Sequence, residues 1–169
     1  MGFGAIKDSI ENLSKLTLNV LGDRVVIFRQ ADISKKPVTF RTATASGRIK
    51  LRRSTVERIR KGLTEKGDPM SLAQIAGMMA AKRTPELLPL CHPLKIESTT
   101  VETSVVPSGV EVTVTVSANE KTGVEMEALT ATTVALLNVW DVVKAYEKDS
   151  RGQYPTTQIQ AVRVVRKAK

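Results

Sequence analysis

A chain of 169 residues, 41% apolar, with 26 Lys and Arg against 17 Asp and Glu for a formal charge of +9, can build one cored domain, with or without an extra arm, and favours an anionic partner. Its single cysteine excludes an internal disulfide and makes a reducing cytoplasm the default compartment. No run of about twenty uncharged apolar residues offers a membrane span, and the start Met1-Gly2-Phe3-Gly4 lacks the basic-then-apolar pattern of a signal peptide, so a soluble intracellular chain is expected.

Residues 1–31 read as an N-terminal arm of open role, with a hairpin placing Leu16, Leu18 and Val20 opposite Val25 and Ile27 around Leu21-Gly22-Asp23; residues 32–169 read as a single domain. From Pro37 the chain alternates through Val38, Phe40 and Arg41-Thr42-Ala43-Thr44-Ala45 to Ile49 and Leu51, which predicts a strand. Ser54 with Glu57 three residues on has the spacing of a capping box, opening a helix that ends near Gly62 or Gly67. Asp68-Pro69 opens a second helix, in which Leu72, Ile75, Ala76 and Met79 recur at helical spacing through Ala81. Ala73, Ala76, Gly77, Ala80 and Ala81 suit this helix to close packing against a sheet or another subunit. Thr84-Pro85 starts a further short turn of helix.

Two strands follow, about Leu94 to Val106 and Val110 to Ala118, joined at Pro107-Ser108-Gly109; Val110, Val112, Val114 and Val116 alternate with polar residues as a sheet with one wet face requires. A long helix is predicted from Gly123 to about Lys148, its threonines and valines needing tertiary support, and a last strand from Thr157 to Val165. This order, without nucleotide-loop glycines, reads as α+β with a largely antiparallel sheet.

The only histidine, His92, sits beside the only cysteine, Cys91, in Leu90-Cys91-His92-Pro93-Leu94, where Pro89 and Pro93 bias the backbone toward extended chain. Such a histidine is often simply packed in a core. Zinc fails on ligand supply, and a Cys-His dyad fails because adjacent residues of extended chain face opposite sides. Glu125 and Glu127, following Lys121-Thr122-Gly123, are explained equally well by a helix dipole and a cap from Thr122, and Asp141 with Lys144 by an ordinary helix-face ion pair. Arg48 to Arg53 and Arg163 to Lys169 read first as solvated basic faces. With only three Phe, two Tyr and one Trp, base-stacking surface is scarce, which moves a small polyphosphate ahead of RNA as the anion.

Taken jointly, these segments point further. Leu90-Cys91-His92-Pro93-Leu94 preceded by Ala80-Ala81-Lys82-Arg83-Thr84, Lys66-Gly67-Asp68, Gly123-Val124-Glu125-Met126-Glu127-Ala128-Leu129-Thr130-Ala131 and Asp141-Val142-Val143-Lys144-Ala145 together resemble the cyclic pyranopterin monophosphate synthase family of molybdenum cofactor biosynthesis. The resemblance runs from about Asp32 through Lys167. It implies a ferredoxin-like fold, and a cytoplasmic lyase that turns a 3',8-cyclised guanosine triphosphate derivative into cyclic pyranopterin monophosphate with release of pyrophosphate. Neither metal nor cofactor, and neither nucleic acid nor membrane, is implied. By the family's pattern Lys66, Asp141 and Lys144 are catalytic, while Leu90, Cys91, His92, Met126 and Glu127, with Glu125 nearby, contact substrate. Arg41, Lys82, Arg83 and Lys167 are further candidates for phosphate. A lysine serves as an acid-base group at neutral pH if desolvation or nearby positive charge lowers its pKa, with Asp141 to orient it or shuttle a proton. Two departures stand out: Val143 replaces the usual cysteine, and the Gly-Gly-Lys-Ser-Gly tail is missing after Lys167.

If Gly123 to Lys148 is one straight helix, Glu127 and Asp141 lie roughly 21 Å apart at 1.5 Å per residue, too far for one compact substrate to touch both on one chain. A homo-oligomer with sites between subunits is expected unless that helix breaks, and the resemblance implies a hexamer built as three dimers. The competing reading is a non-catalytic α+β module that binds nucleic acid through its basic strands and tail. Its binding should fall steeply with salt and tolerate Lys66→Ala.

Overall fold

The computed structural model describes residues 26–169; the hairpin expected around Leu21-Gly22-Asp23 lies outside them. Asp32–Lys169 form one compact unit. Its elements in order are β1 (Thr39–Lys50), α1 (Arg53–Arg60), α2 (Pro69–Lys82), α3 (Thr84–Leu87), β2 (Ser98–Val106), β3 (Gly109–Glu120), α4 (Glu125–Glu147) and β4 (Gln158–Ala168).

The strands align as β2-β3-β1-β4, with every neighbouring pair antiparallel. Two crossovers through helices, one from β1 to β2 and one from β3 to β4, each skip a strand position. That is the split βαβ arrangement of the ferredoxin-like α+β fold. Strand alternation decides which face receives the helices. Ala43, Ala45 and Ile49 of β1 and Val110, Val112, Val114 and Val116 of β3 are buried beneath them, while Thr44, Ser46, Thr113 and Thr115 between them are only half-buried. α4 lies on β1, β3 and β4, and α2 packs against α4 and β2.

The Asp68-Pro69 start of α2 is as expected: the Asp68 carboxylate accepts the Met70 and Ser71 N–H groups at 3.2 and 3.0 Å. The helix turns the other way from a simple amphipathic reading, however. Ala73, Gly77, Ala80 and Ala81 are buried, whereas Leu72, Ile75, Met78 and Met79 are exposed. Close approach explains the choice, since a Cβ on Gly77 would stand 3.2 Å from the Ala131 carbonyl oxygen and 3.3 Å from the Ala135 Cβ. Small residues let two helices meet at short range, and the larger side chains are left on the opposite face.

Two predicted caps are absent. α1 begins at Arg53, so Ser54 is already inside the helix, and its cap residue Arg52 makes no side-chain cap. The acceptor comes from far along the chain. The Arg52 N–H donates to both carboxylate oxygens of Glu147 at 3.1 and 3.2 Å, and the Thr157 hydroxyl donates to the same fully buried carboxylate. Glu57 instead pairs with Arg53 one turn back, at 3.2 Å. α4 starts at Glu125 after Val124, two residues later than expected, with no side-chain cap from Thr122. Inside α4 the Thr132 and Thr133 hydroxyls each donate 2.8 Å bonds to the carbonyls four residues back, and packing supports the β-branched residues. Its 23 residues are long and apolar enough to cross a membrane by length and composition, but half of the stretch is buried inside the domain, as in a core helix.

β2 begins at Ser98 rather than Leu94. Residues 92–97 lie outside any regular element, with Leu94 and Ile96 packed on the core; the Ile96 N–H is taken by the Leu94 carbonyl at 3.1 Å and the regular ladder starts only beyond. β4 extends to Ala168 and carries an irregularity where Ala161 adopts a positive φ of 55°.

Candidate functional site

The candidate residues gather at the two ends of α4. Near its C-terminal end the side chains of Asp141 and Lys144, one turn apart, meet at 2.7 Å, and Lys66 comes over from the loop between α1 and α2. The Lys66 ammonium donates to the other Asp141 carboxylate oxygen at 3.1 Å and to the Asp141 backbone carbonyl at 3.1 Å. A carboxylate shared by two ammonium groups thus joins positions 75 residues apart. All three side chains are about half exposed and open to a ligand. Hydrogen bonds from Lys144 and then Lys66 hold the Asp141 carboxyl below its ordinary range, and the Asp141 carboxylate raises Lys144. The lowered lysine pKa expected for acid-base work is therefore not what this arrangement produces at Lys144, which is held as a cation.

The N-terminal end of α4 is built differently. Glu125 pairs with Lys167 of β4 at 3.0 Å, beside Arg41 of β1, whose guanidinium donates to the Glu120 and Lys121 carbonyls at 3.3 and 3.4 Å. Arg41, Thr42, Gly123, Glu125 and Lys167 line a cleft of about 280 Å³, completed by Ala168 and Lys169. Burial pushes the Glu125 carboxyl up, but its own backbone N–H, Lys167 and Arg41 outweigh that and leave it lowered. Two residues on, Glu127 is 3% exposed, and its Oε2 has no hydrogen-bond partner. Burial raises its pKa, and the Glu125 charge adds to the rise. Burial likewise raises the Cys91 thiol, with the Glu127 charge contributing.

The Leu90-Cys91-His92 segment opens with a tight turn: the Cys91 N–H donates to the Leu88 carbonyl at 2.9 Å, so the extended backbone expected throughout is not present at Leu90 and Cys91. His92 is half-buried, while Leu90 and Met126 are exposed at 51% and 41%. Lys82 closes α2, with Arg83 as its C-cap residue. Among the described residues no group of three or more His, Cys, Asp or Glu is placed to hold a metal ion. Val143, where the family usually has cysteine, is fully buried in the core, away from the exposed Asp141 carboxylate.

α4 is unbroken from Glu125 to Glu147, so the rise of 1.5 Å per residue separates Glu127 from Asp141 by about 21 Å along its axis. One end offers an ionised, doubly paired carboxylate; the other a buried carboxyl with an unfilled acceptor.

The MoaC family profile matches residues 30–169. The probable cyclic pyranopterin monophosphate synthase of Sulfurisphaera tokodaii is 54% identical over 138 residues, covering 82% of this chain and 91% of that protein. The chain belongs to the MoaC family. A relative of the same description from Pyrococcus horikoshii is also 54% identical, over 141 residues, 83% of this chain and 89% of that protein. A Methanothermobacter thermautotrophicus relative, 50% identical over 141 residues and covering the same shares, is described as a probable cyclic pyranopterin monophosphate synthase accessory protein.

As a MoaC family member the chain also holds features that motif reading passed over. Tyr146, whose hydroxyl accepts the Glu65 N–H at 3.0 Å, and Glu147, which ties α4 to the start of α1 and to Thr157 just before β4, carried no sequence signal beyond being polar residues near a helix end.

Proposed function

We propose that this chain is a cyclic pyranopterin monophosphate synthase, a cytoplasmic lyase that converts the 3',8-cyclised dihydro-guanosine triphosphate intermediate to cyclic pyranopterin monophosphate and pyrophosphate. The observation that carries the proposal is the convergence of Lys66 and Lys144 on Asp141. Forming a cyclic phosphate while pyrophosphate leaves requires a new bond from a substrate oxygen to the innermost phosphorus and a stabilised departing charge. Two ammonium groups on one carboxylate supply that stabilisation, and Lys144 is held cationic to do so. Glu127, whose burial biases it toward the neutral acid, is the group suited to exchange a proton at the ring system. Glu125, Arg41 and Lys167 line a cleft at the same end of α4, and Leu90, Cys91, His92 and Met126 are the further residues assigned to substrate binding.

The roughly 21 Å between Glu127 and Asp141 on an unbroken helix supports a site assembled from two subunits, within a hexamer of three dimers. The uncovered apolar face of α2, with Leu72, Ile75, Met78 and Met79, supports the same conclusion. Incubation with the cyclised guanosine triphosphate intermediate should release pyrophosphate and yield a pterin that fluoresces after oxidation. No product where a control synthase works would defeat the assignment.

A further inference from the structure

The loop that delivers Lys66 is hinged at both ends by glycines with positive φ, Gly62 at 65° and Gly67 at 99°. Such hinges leave the segment free to swing unless it is tied down. Inside the loop the Thr64 hydroxyl donates to the Gly67 carbonyl at 2.6 Å, closing a compact turn. Arg58 of α1 donates to the Leu63 carbonyl at 3.1 Å and lays its guanidinium 4.6 Å from the centre of the Tyr146 ring on α4. The Tyr146 hydroxyl in turn accepts the Glu65 N–H at 3.0 Å, one residue before Lys66. The loop is therefore gripped from α1 at its entry and from α4 next to its lysine.

We infer that Tyr146 is a positioning residue for Lys66: by accepting the Glu65 N–H while its ring is braced under Arg58, it fixes the loop so that the Lys66 ammonium lies on Asp141. This deepens the proposed function and rests on that reading for its catalytic consequence, though the positioning itself does not. Asp141 lies on the same helix as Tyr146, so one rigid element carries both the target carboxylate and the anchor of the loop that reaches it. Tyr146 touches no reacting atom; it acts through Lys66.

Tyr146→Phe in the full-length protein keeps the ring under Arg58 and deletes only the accepting oxygen. With one hydrogen bond lost, kcat should fall about threefold to tenfold with KM nearly unchanged and the melting temperature held. Independently of activity, the Asp141 carboxyl followed by carbon-13 NMR should titrate higher in Tyr146→Phe. It should show no further change when Tyr146→Phe is added to Lys66→Ala. An unmoved Asp141 titration in Tyr146→Phe, or an equal movement in the Lys66→Ala background, would overturn the inference. Full turnover in Lys66→Ala with the titration coupling intact would instead overturn the catalytic reading and leave the positioning standing.

Discussion

The two ends of α4 place carboxylates in opposite circumstances. At the C-terminal end Asp141 is exposed and shared by two ammonium groups, so it stays ionised; near the N-terminal end Glu127 is buried with an unmet acceptor, so its proton is held more tightly. One helix thus carries an ionised, doubly paired carboxylate at one end and a buried carboxyl that keeps its proton more tightly at the other, and burial against pairing decides which is which. Glu147, fully buried one helical turn after Lys144, is a third case: it is satisfied by a backbone N–H and a hydroxyl from other segments, and its work is structural.

The contrast is broken most severely at the exposed end. Lys66→Ala, Lys144→Ala or Asp141→Asn should each lower kcat by about 10²- to 10⁴-fold, while the melting temperature moves by less than about 2 °C because exposed ion pairs add little stability. Steady-state pyrophosphate release and thermal unfolding check both halves. Glu147→Ala should do the reverse. It leaves the Arg52 N–H and Thr157 hydroxyl without their acceptor and should cost about 2 to 4 kcal/mol in denaturant unfolding, with residual turnover per folded molecule retained.

His92→Ala should raise KM about tenfold, more than it changes the pH profile of kcat, if the half-buried imidazole serves as a binding wall. Loss of turnover with intact substrate binding would move His92 into the chemistry. Glu127→Gln should stabilise the fold by roughly 1 kcal/mol at neutral pH while reducing turnover. The sign follows from its raised pKa: the folded state binds the proton more tightly than the unfolded one, so stability falls as pH rises from the unfolded toward the folded value. The gain from glutamine should accordingly vanish in acid. Lys144, also raised, likewise loses its contribution as pH rises through its folded value, whereas Asp141, lowered, carries the opposite sign and loses its contribution as pH falls through its folded value.

What sequence made legible follows the range of the interactions. The β2-β3 hairpin and the Asp68-Pro69 helix start depend on neighbours within a few residues, and both stand where alternation and capping chemistry place them. The Ser54 cap fails because a distant group meets the chain at the start of α1, where the Arg52 N–H donates to Glu147, 95 residues away, and the Thr122 cap fails because α4 begins only after Val124. The close packing of α2 through its small residues was legible from Ala73, Gly77, Ala80 and Ala81, while the exposure of Leu72 and Ile75 follows from the close helix contact at Gly77, which admits only small residues. At the candidate site, family motifs marked Lys66, Asp141 and Lys144, and the fold brings them together. Tyr146 was invisible because its role lies in one hydroxyl meeting a backbone N–H 81 residues away, a contact with no residue-type signature.

The central claim is that the two ends of α4 work together across a subunit boundary, and subunit mixing tests it most directly. Glu127→Ala and Asp141→Ala chains, each inactive alone, should regain about a quarter of wild-type turnover when co-expressed at equal levels and purified as mixed oligomers, since about half of the dimers are then mixed and each mixed dimer holds one intact site of its two. Mixed oligomers no more active than either parent would contradict it, and would mean that each site is built from one chain.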